Sequence, residues 1–186
     1  MPRSSHHHGN LQQALIDAGL RLLDSGKPLT LRGAAQLAGV SHAAPAHHFD
    51  GLDGLKQAIA HRGFQLFRDD LAVAGAAAPD DPFARLLALN RAYLAFADRH
   101  EPLFRLMFEA LRTASPDLLA VATECYAILC RHCAPFARDA RDAARLEGAV
   151  WSLTHGYALL RLDRLGPDAP FTPPPYEALL RLLLRP

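Results

Sequence analysis

The sequence of 186 residues lacks the features that mark membrane, secreted and highly charged proteins. No apolar run approaches the roughly 20 residues that a membrane-spanning helix needs. The amino-terminal residues carry no charged, apolar and cleavable pattern, so we expect no export signal and no membrane association. The formal net charge is only +1, so the protein as a whole is not a polycation.

Cysteine is also scarce, and the three residues Cys125, Cys130 and Cys133 are an odd number. Without an export pattern, an odd count favours reduced thiols and a cytoplasmic location. All three lie in one apolar stretch beside His132, where free cysteine acts as a small hydrophobic side chain. Core packing is the preferred interpretation. Thiol sensing through Cys130 and Cys133 and a metal site remain alternatives, although a structural zinc site needs four ligands.

Signals of catalysis are missing as well. No Ser-His-Asp arrangement or phosphate-binding glycine loop can be inferred, and the carboxylates are scattered along the chain. We therefore expect a protein that is not an enzyme and that needs no cofactor and no metal. An oxidoreductase using Cys130 and Cys133 is a remote alternative.

What the sequence does contain is helical periodicity from end to end, with no alternating strand pattern and no internal repeat. The predicted fold is all-α. The breaks at Gly26-Lys27-Pro28, at Pro79 to Pro82, at Ser115-Pro116, at Pro135 and in the proline-rich segment 166–175 separate the helices. The predicted helices begin after a cap at Asn10 and then cover about 31–38, 42–49, 52–77, 82–99, 102–112, 116–134, 137–165 and 176–184.

The stretch from Thr30 to Phe49 predicts two short helices joined by a tight turn. Thr30 is a good N-cap for the first helix, and Gly39 suits the left-handed position that ends it. Leu31, Ala34, Ala35, Leu37 and Ala38 form the apolar side of this helix. Ser41 is expected to cap a second helix of about two turns that carries little apolar surface, with Phe49 anchored in the core. A small polar helix held by a glycine turn is typical of a helix-turn-helix, whose second helix enters the major groove.

At these residues the sequence resembles the tetracycline-repressor (TetR) family. The resemblance rests on Gly39-Val40-Ser41, on His47-His48-Phe49 and on an acidic residue followed by Leu55. The segments His7 to Leu11 and Trp151 to Gly156 are similar to a branch with a regulatory domain named for a Trp-His-Gly (WHG) motif.

The resemblance implies a bacterial, ligand-responsive transcriptional regulator, most simply a repressor. It predicts an amino-terminal helix-turn-helix DNA-binding domain at 1–55, with three helices, and a ligand-binding and dimerisation domain of five or six helices at 56–186. A homodimer would bind a palindromic operator and be released by a small-molecule effector. The predicted dimer interface contains Val150, Leu153, Gly156, Tyr157, Leu160, Leu180 and Leu183.

The candidate DNA contacts lie on and around the predicted turn. Arg32 would make a bidentate contact to a guanine edge, and His42 and His47 lie on the exposed face of the second helix. The helix amino termini at Thr30 and Ser41 are suited to phosphates, while His48 is alternatively a packing residue beside Phe49. The full predicted set is Thr30, Arg32, Ser41, His42, Ala43, Ala44, Ala46, His47, His48 and Lys56.

Two positions depart from the family pattern. Ala46 stands where the family usually has a tyrosine, and Leu52 stands where it usually has a lysine. Both changes remove phosphate contacts, which Lys56 and the histidines would have to replace. The alternative function is therefore a helical small-molecule or thiol-sensing protein with a weakened DNA-binding head.

A ligand pocket is predicted around the long helix near the carboxyl end, where Trp151 and His155 are four residues apart on one face. Gly156 follows them and marks a close helix crossing, because glycine inside a helix costs about 1 kcal/mol relative to alanine. Ordinary core packing remains an equal alternative. The predicted pocket residues are Tyr93, Phe96, Phe104, Met107, Phe108, Tyr126, Trp151 and His155.

Overall fold

A computed structural model describes residues 5–163 and 173–184, with side chains from residue 11 onward. The described residues form α-helices and short 3-10 turns without a strand, which confirms the all-α prediction. The helices are α1 Ser5–Asp24, α2 Leu31–Ala38, α3 Gly51–Ala77, α4 Pro82–Arg99, α5 Glu101–Ala110, α6 Pro116–Cys133, α7 Ala140–Leu162 and α8 Tyr176–Leu183. The 3-10 turns are Ala44–His47, Leu111–Thr113 and Ala134–Phe136.

Several helix ends are set by local capping signals that the sequence predicted. Asp81 caps α4 by accepting the Ala84 amide at 2.7 Å, and Pro82 occupies the first helical position. Ser115 accepts the Leu118 amide at 3.3 Å at the start of α6. Pro135 follows the end of α6 at Cys133, as a residue without an amide hydrogen should.

Other predicted boundaries were wrong. Helix α1 begins at Ser5, five residues before the expected cap at Asn10. Helix α5 ends at Ala110 and tightens into a 3-10 turn, while α7 is shorter than predicted because Asp139 caps it. The amide of Asp142 donates to the Asp139 carboxylate at 2.8 Å. Most of the predicted loop at 166–175 lies outside the described residues.

The chain divides into two compact units. The first unit contains the chain up to Gln65 together with Pro102–Ala122, and the second contains Leu66–Glu101 and the chain from Thr123 onward. The predicted domains, 1–55 and 56–186, remain a prediction, because compactness alone does not establish which segments fold independently.

In the first unit, α1, α2, α5 and the first part of α3 share an apolar core. Gly19 of α1 permits close packing, since a Cβ there would lie 2.3 Å from Cδ1 of Ile59. The side chain of Gln57 stabilises the turn after α5. Its Nε2 donates to the Ala110 carbonyl at 3.1 Å, and its Oε1 accepts the Ser115 amide at 3.1 Å. The core residues include Leu15, Ala18, Ala34, Ala35, Phe49, Leu55, Ile59, Phe64, Leu103, Phe104 and Met107.

In the second unit, α4 packs against α7, and α7 against α8. The buried line of α7 contains Val150, Thr154, Ala158 and Leu162, which follow one another at intervals of four. The helical spacing of the apolar residues predicts a different buried stripe, and that prediction is wrong, because only Val150 of its members is buried. The predicted stripe is Leu146, Val150, Leu153, Tyr157 and Leu160. The helix is rotated because Thr154 joins a buried polar cluster with Asn90 of α4 and Tyr176 of α8.

Among the described residues, no helix combines the length and the apolar character that crossing a bilayer requires.

Candidate nucleic-acid interface and ligand site

The first half of the predicted helix-turn-helix is confirmed in detail. The amide of Gly33 donates to the Thr30 hydroxyl at 3.0 Å, which satisfies one of the free donors at the start of α2. Gly39 adopts the left-handed conformation, with φ of 71°, and its amide donates hydrogen bonds to the carbonyls of Ala35 and Gln36. Leu37 differs from the prediction, since its side chain is 46% exposed and lies off the apolar side.

The second helix that the sequence predicted is not an α-helix in the structure. The segment is a single 3-10 turn, Ala44–His47, and Ser41 does not cap it through its side chain. Instead the Ser41 carbonyl accepts the Ala44 amide at 3.0 Å. Pro45 is the physical reason, because it cannot donate a backbone hydrogen bond and it disfavours helical geometry in the residue before it. Phe49 is buried as predicted, and the His48 ring lies 6.5 Å from its ring.

The predicted DNA-binding side chains lie mostly at the surface of the first unit. Ala44, His48 and Lys56 are partly buried. Pro45, which is not a member of the predicted set, is buried under the turn. The exposed members of the predicted set are Thr30, Arg32, Ser41, His42, Ala43, Ala46 and His47.

The two basic residues of this set have different surroundings. Lys56 lies 3.8 Å from the carboxylate of Glu109, so part of its charge is already balanced. Arg32 has no ion-pair partner among the described residues, although many other arginines of the chain do. Arg32 is therefore the better placed of the two to bind a base edge or a phosphate.

The predicted ligand residues do not form one group. Phe104, Met107 and Phe108 belong to the first unit, where Phe108 packs against Phe64 with ring centroids 5.7 Å apart. Phe96 and Tyr93 are core residues of the second unit, and both contact Phe67 at 5.0 Å. For Phe96, Phe104 and Met107 the structure favours the core-packing alternative.

The remaining predicted ligand residues form a chain of rings in the second unit. The Tyr93 hydroxyl lies 2.7 Å from Nδ1 of His155, and the His155 ring stacks beside Trp151 at 5.9 Å. Trp151 in turn contacts Tyr126 of α6, with centroids 6.3 Å apart and planes at 85°. The series runs from buried Tyr93 to Trp151 and Tyr126, which are each 40% exposed.

Burial controls protonation along this series. It lowers the pKa of His155 below its ordinary value of 6.5, so the imidazole is neutral near neutral pH. Burial also raises the pKa of Tyr93 far above its ordinary value, and the neighbouring Trp151 offsets only part of this rise. His155 and Tyr93, which link the exposed rings of Trp151 and Tyr126 to the core, are therefore uncharged near neutral pH.

The three cysteines are free, and Cys125 and Cys133 are buried. Burial raises the pKa of Cys125 and of Cys133 to about 12. Burial and the carboxylate of Glu147 raise the pKa of the partly buried Cys130 to about 11. Since the thiolate is the reactive form, these values argue for packing and against thiol sensing. The described residues contain no group of three potential metal ligands.

The predicted dimer residues also have unequal surroundings. Val150 and Leu180 are fully buried within the chain, so their side chains offer no surface to a second copy. Leu153, Gly156, Tyr157 and Leu183 are partly exposed, and Leu160 is exposed. A Cβ on Gly156 would meet nothing within 4 Å, so no helix of the described part of the chain crosses closely there.

A surface groove of about 440 Å³ lies in the second unit, where the sequence predicted no site. Two ion pairs flank it, Arg91 with Glu177 at 2.9 Å and Arg161 with Asp98. Its residues come from α4, α7 and α8, and no pattern within a single helix signals it. The groove residues are Arg91, Leu94, Ala95, Asp98, Tyr157, Arg161, Pro175, Tyr176 and Glu177.

Residues 86–185 match the family model "Tetracyclin repressor-like, C-terminal domain". No curated protein matches.

Solved structures share the fold over nearly the whole length. A protein of unknown function from Rhodococcus sp. RHA1 is 27% identical, with a TM-score of 0.77 over 98% of this chain and 95% of that one. A possible TetR family transcriptional regulator from Streptomyces coelicolor A3(2) is 25% identical, with a TM-score of 0.62 over 92% and 80%. The multidrug binding protein EbrR, solved with imidazole, is 24% identical, with a TM-score of 0.64 over 98% and 96%.

The WHG branch remains a prediction from the resemblance of two short segments. The matched region covers more than half of the chain, and the fold agrees with the same assignment. The chain belongs to the TetR family of transcriptional regulators.

Proposed function

We propose that the protein is a ligand-responsive DNA-binding regulator, a repressor that binds a palindromic operator as a homodimer. A small-molecule effector would release it, and it acts in the cytoplasm without catalysing a reaction. The observation that carries the proposal is the turn after α2, where a capped helix and a left-handed glycine support a row of small and polar exposed side chains. These side chains leave room for a DNA backbone and offer donors to it.

Homodimer formation is supported by the outward face of α7. Gly148, Ser152 and Gly156 follow at intervals of four, and a Cβ on either glycine would meet nothing within 4 Å. Each helical glycine costs about 1 kcal/mol relative to alanine, which a closely packed partner helix would offset. Leu160 is exposed near this face, so the proposed interface contains Gly156, Leu153 and Leu160 and excludes Val150 and Leu180.

The alternative of a weakened DNA-binding head has one observation in its favour. The recognition segment is a single 3-10 turn, and the Lys56 ammonium that would replace the missing phosphate contacts is shared with Glu109. A protein of this kind would bind DNA weakly while retaining a ligand site. Thiol sensing is not part of this alternative, because all three thiols have raised pKa values.

Selection of bound sequences from a random double-stranded DNA pool tests the proposal. Run with the full chain at two salt concentrations, it should recover a palindrome whose half-sites lie about 34–36 Å apart or a multiple of that distance. Affinity should fall as salt rises, because phosphate contacts release counterions. If no sequence is enriched at the lower salt concentration, the repressor proposal is contradicted and the alternative of a weakened DNA-binding head is favoured.

Changing Arg32 to alanine should relax the sequence preference of the recovered operator. A bidentate arginine contact contributes about 1–3 kcal/mol of discrimination between bases, so affinity for the best site should fall about tenfold or more while affinity for random DNA changes little. Arg21→Ala is the matched control. Arg21 is also exposed in the first unit, and its substitution removes the same charge. An unchanged ranking of operator variants in Arg32→Ala would show that this residue contacts no base.

A further inference from the structure

One hydrogen bond of the second unit joins two titratable side chains from different helices. The Tyr93 hydroxyl of α4 lies 2.7 Å from Nδ1 of His155 on α7, and the two rings meet edge to face with centroids 6.4 Å apart. Tyr93 is only 7% exposed, whereas His155 is partly exposed and stacks beside Trp151. The bond therefore connects the core of this unit with its surface.

The protonation states of the two groups decide which of them donates. Burial raises the pKa of Tyr93 far above its ordinary value, so the hydroxyl keeps its hydrogen in neutral and acidic solution. Burial lowers the pKa of His155 below 6.5, so the imidazole is neutral near neutral pH and one of its two nitrogens accepts hydrogen bonds. When Nε2 carries the imidazole hydrogen, Nδ1 is that acceptor and the Tyr93 hydroxyl donates to it.

A proton on His155 is incompatible with this arrangement. Both imidazole nitrogens then carry hydrogens and neither can accept, so the Tyr93 hydroxyl must turn its hydrogen away from the ring. The added charge also lies on a partly buried ring, where the loss of hydration disfavours it. Because His155 is partly exposed, a change of rotamer brings the charged imidazole into water and separates it from Tyr93 and from Trp151.

The titratable groups that face the bond from neighbouring helices keep their protons in acid. Burial raises the pKa of Cys125 on α6 to about 12, and it also raises the pKa of Tyr126 on α6 and of Tyr176 on α8. Cys125 is also acted on by Arg68 of α3, which pairs with Glu124 at 2.7 Å. Further charged neighbours of this set are Asp69, which also pairs with Arg68, and Glu147 of α7, which acts on Tyr126.

We propose that the hydrogen bond between Tyr93 and His155 is a proton-operated latch between α4 and α7. Neutral His155 accepts the Tyr93 hydrogen and closes the latch, and a proton on His155 opens it. Mildly acidic solution thereby changes the packing of the second unit without any ligand. Control of DNA binding by pH through this latch rests on the proposed function, whereas the latch itself does not.

The emission of Trp151 tests the latch, because this residue is the only tryptophan of the chain and its ring lies 5.9 Å from that of His155. Titration of the full chain from about pH 8 to about pH 5 should give one reversible change in emission. Its midpoint should lie below 6.5, since burial lowers the pKa of His155. Circular dichroism over the same range should show that the helices remain folded.

Substitution of His155 identifies the titrating group. His155→Gln retains an acceptor for the Tyr93 hydrogen but cannot gain a proton, so the change in emission should disappear. His100→Gln is the matched control, because it removes another partly buried histidine of the same unit and should leave the midpoint unchanged. A change in emission that persists in His155→Gln would overturn the latch.

Tyr93→Phe tests the direction of the hydrogen bond. A donor to the neutral imidazole lowers the pKa of His155, so loss of the hydroxyl should raise the midpoint toward 6.5, by roughly 0.5–1 pH unit for a bond of ordinary strength. Tyr157→Phe removes a hydroxyl of α7 that donates to the Pro174 carbonyl at 3.0 Å, and it should not move the midpoint. A lowered or unchanged midpoint in Tyr93→Phe would contradict the latch, because Tyr93 would then not favour the neutral imidazole.

Nitrogen NMR of the histidine-labelled protein gives a readout that does not depend on Trp151. The imidazole signals that are missing from His155→Gln belong to His155, and near pH 8 they should show a hydrogen on Nε2 and none on Nδ1. A hydrogen on Nδ1 at that pH would mean that His155 donates to Tyr93, which also contradicts the latch.

Failure of the latch differs from failure of the proposed function. An operator recovered by DNA selection, with no emission change that depends on His155, would retain the regulator and remove the latch. The reverse result would retain the latch and remove the repressor. If both are found, acid should change operator affinity about fivefold or more in the unchanged protein relative to His155→Gln at the same pH. Equal changes in the two proteins would overturn the control of DNA binding by the latch.

Discussion

Replacing Phe96 by alanine is expected to lower the free energy of unfolding by about 3–5 kcal/mol, the usual cost of removing a buried phenylalanine ring. Phe96 is fully buried, and its ring packs against Phe67 at 5.0 Å and against His100 at 4.9 Å. The substitution would remove these contacts and leave a cavity at the centre of the second unit. Since whole domains are stable by about 5–15 kcal/mol, this single change is a large fraction of the total.

Denaturant unfolding followed by circular dichroism and by the emission of Trp151 measures this loss. Phe96→Leu keeps most of the apolar volume and should lose clearly less stability. Val73→Ala is a matched apolar truncation at an exposed position and should change stability by less than about 0.5 kcal/mol. A loss below about 1 kcal/mol for Phe96→Ala would mean that the ring is not central to the packing of this unit.

The helix boundaries that the sequence predicted well are those with signals inside a few residues. Thr30, Asp81 with Pro82, and Ser115 each bind an amide within the first turn that follows, so the sequence carries the whole interaction. The start of α7 is an exception, because Asp139 binds the Asp142 amide in the same way and was not predicted as a cap. Asn10 was read as a cap because it precedes an apolar stripe, yet residues 5–9 continue the helix upstream.

The recognition segment shows how one residue outweighs a family pattern. The residues after Ser41 predicted a second helix of about two turns, but Pro45 holds the segment in a single 3-10 turn. Pro45 has no amide hydrogen to donate, and it also restricts Ala44, which precedes it and is disfavoured in α-helical geometry. The exposed positions of His42 and His47 nevertheless agree with the prediction.

The candidate ligand site was predictable in part. Trp151 and His155 were paired by their spacing on one helix, which is local information. That Tyr126 lies against Trp151, and that Phe104 and Met107 belong to the first unit, depends on packing between distant segments.

The buried face of α7 was predicted wrongly, and Thr154 explains why. Apolar residues occur on more than one side of this helix, so periodicity alone did not choose the face. The hydroxyl of Thr154 lies 2.9 Å from Oδ1 of Asn90, 2.7 Å from the Val150 carbonyl and 2.6 Å from the Tyr176 hydroxyl. Because a threonine hydroxyl has one hydrogen and both carbonyl oxygens can only accept, Tyr176 must donate to Thr154.

This cluster fixes how α4, α7 and α8 pack within the second unit. Asn90, Thr154 and Tyr176 are all buried, and the Asn90 amide also donates to the Leu86 carbonyl at 2.8 Å. No buried side-chain nitrogen or oxygen among the described residues lacks a partner. Such a fully satisfied network stabilises one arrangement of helices, because any other would leave buried polar atoms without hydrogen bonds.

Replacing Thr154 by valine is therefore expected to lower the free energy of unfolding by roughly 2–4 kcal/mol. Valine has the same shape but no hydroxyl, so the Tyr176 hydroxyl loses its acceptor and Asn90 loses a possible donor, at about 1–3 kcal/mol for each buried group. Thr154→Ser keeps the hydroxyl and loses one methyl group, so it should cost only about 1 kcal/mol. Thermal and denaturant unfolding of the three proteins measure both differences.

A double-mutant cycle with Tyr176→Phe identifies the cause. Tyr176→Phe removes the donor, so Thr154→Val in that background no longer leaves a buried hydroxyl without a partner. The two changes together should therefore cost less than the sum of the separate losses, with a coupling of about 1 kcal/mol or more. The exposed Arg91–Glu177 ion pair also holds α8, in this case against α4, and Glu177→Gln should show little coupling with Thr154→Val. Additive losses for Thr154 and Tyr176 would mean that packing volume, and not the hydrogen-bonded cluster, holds α8 against α7.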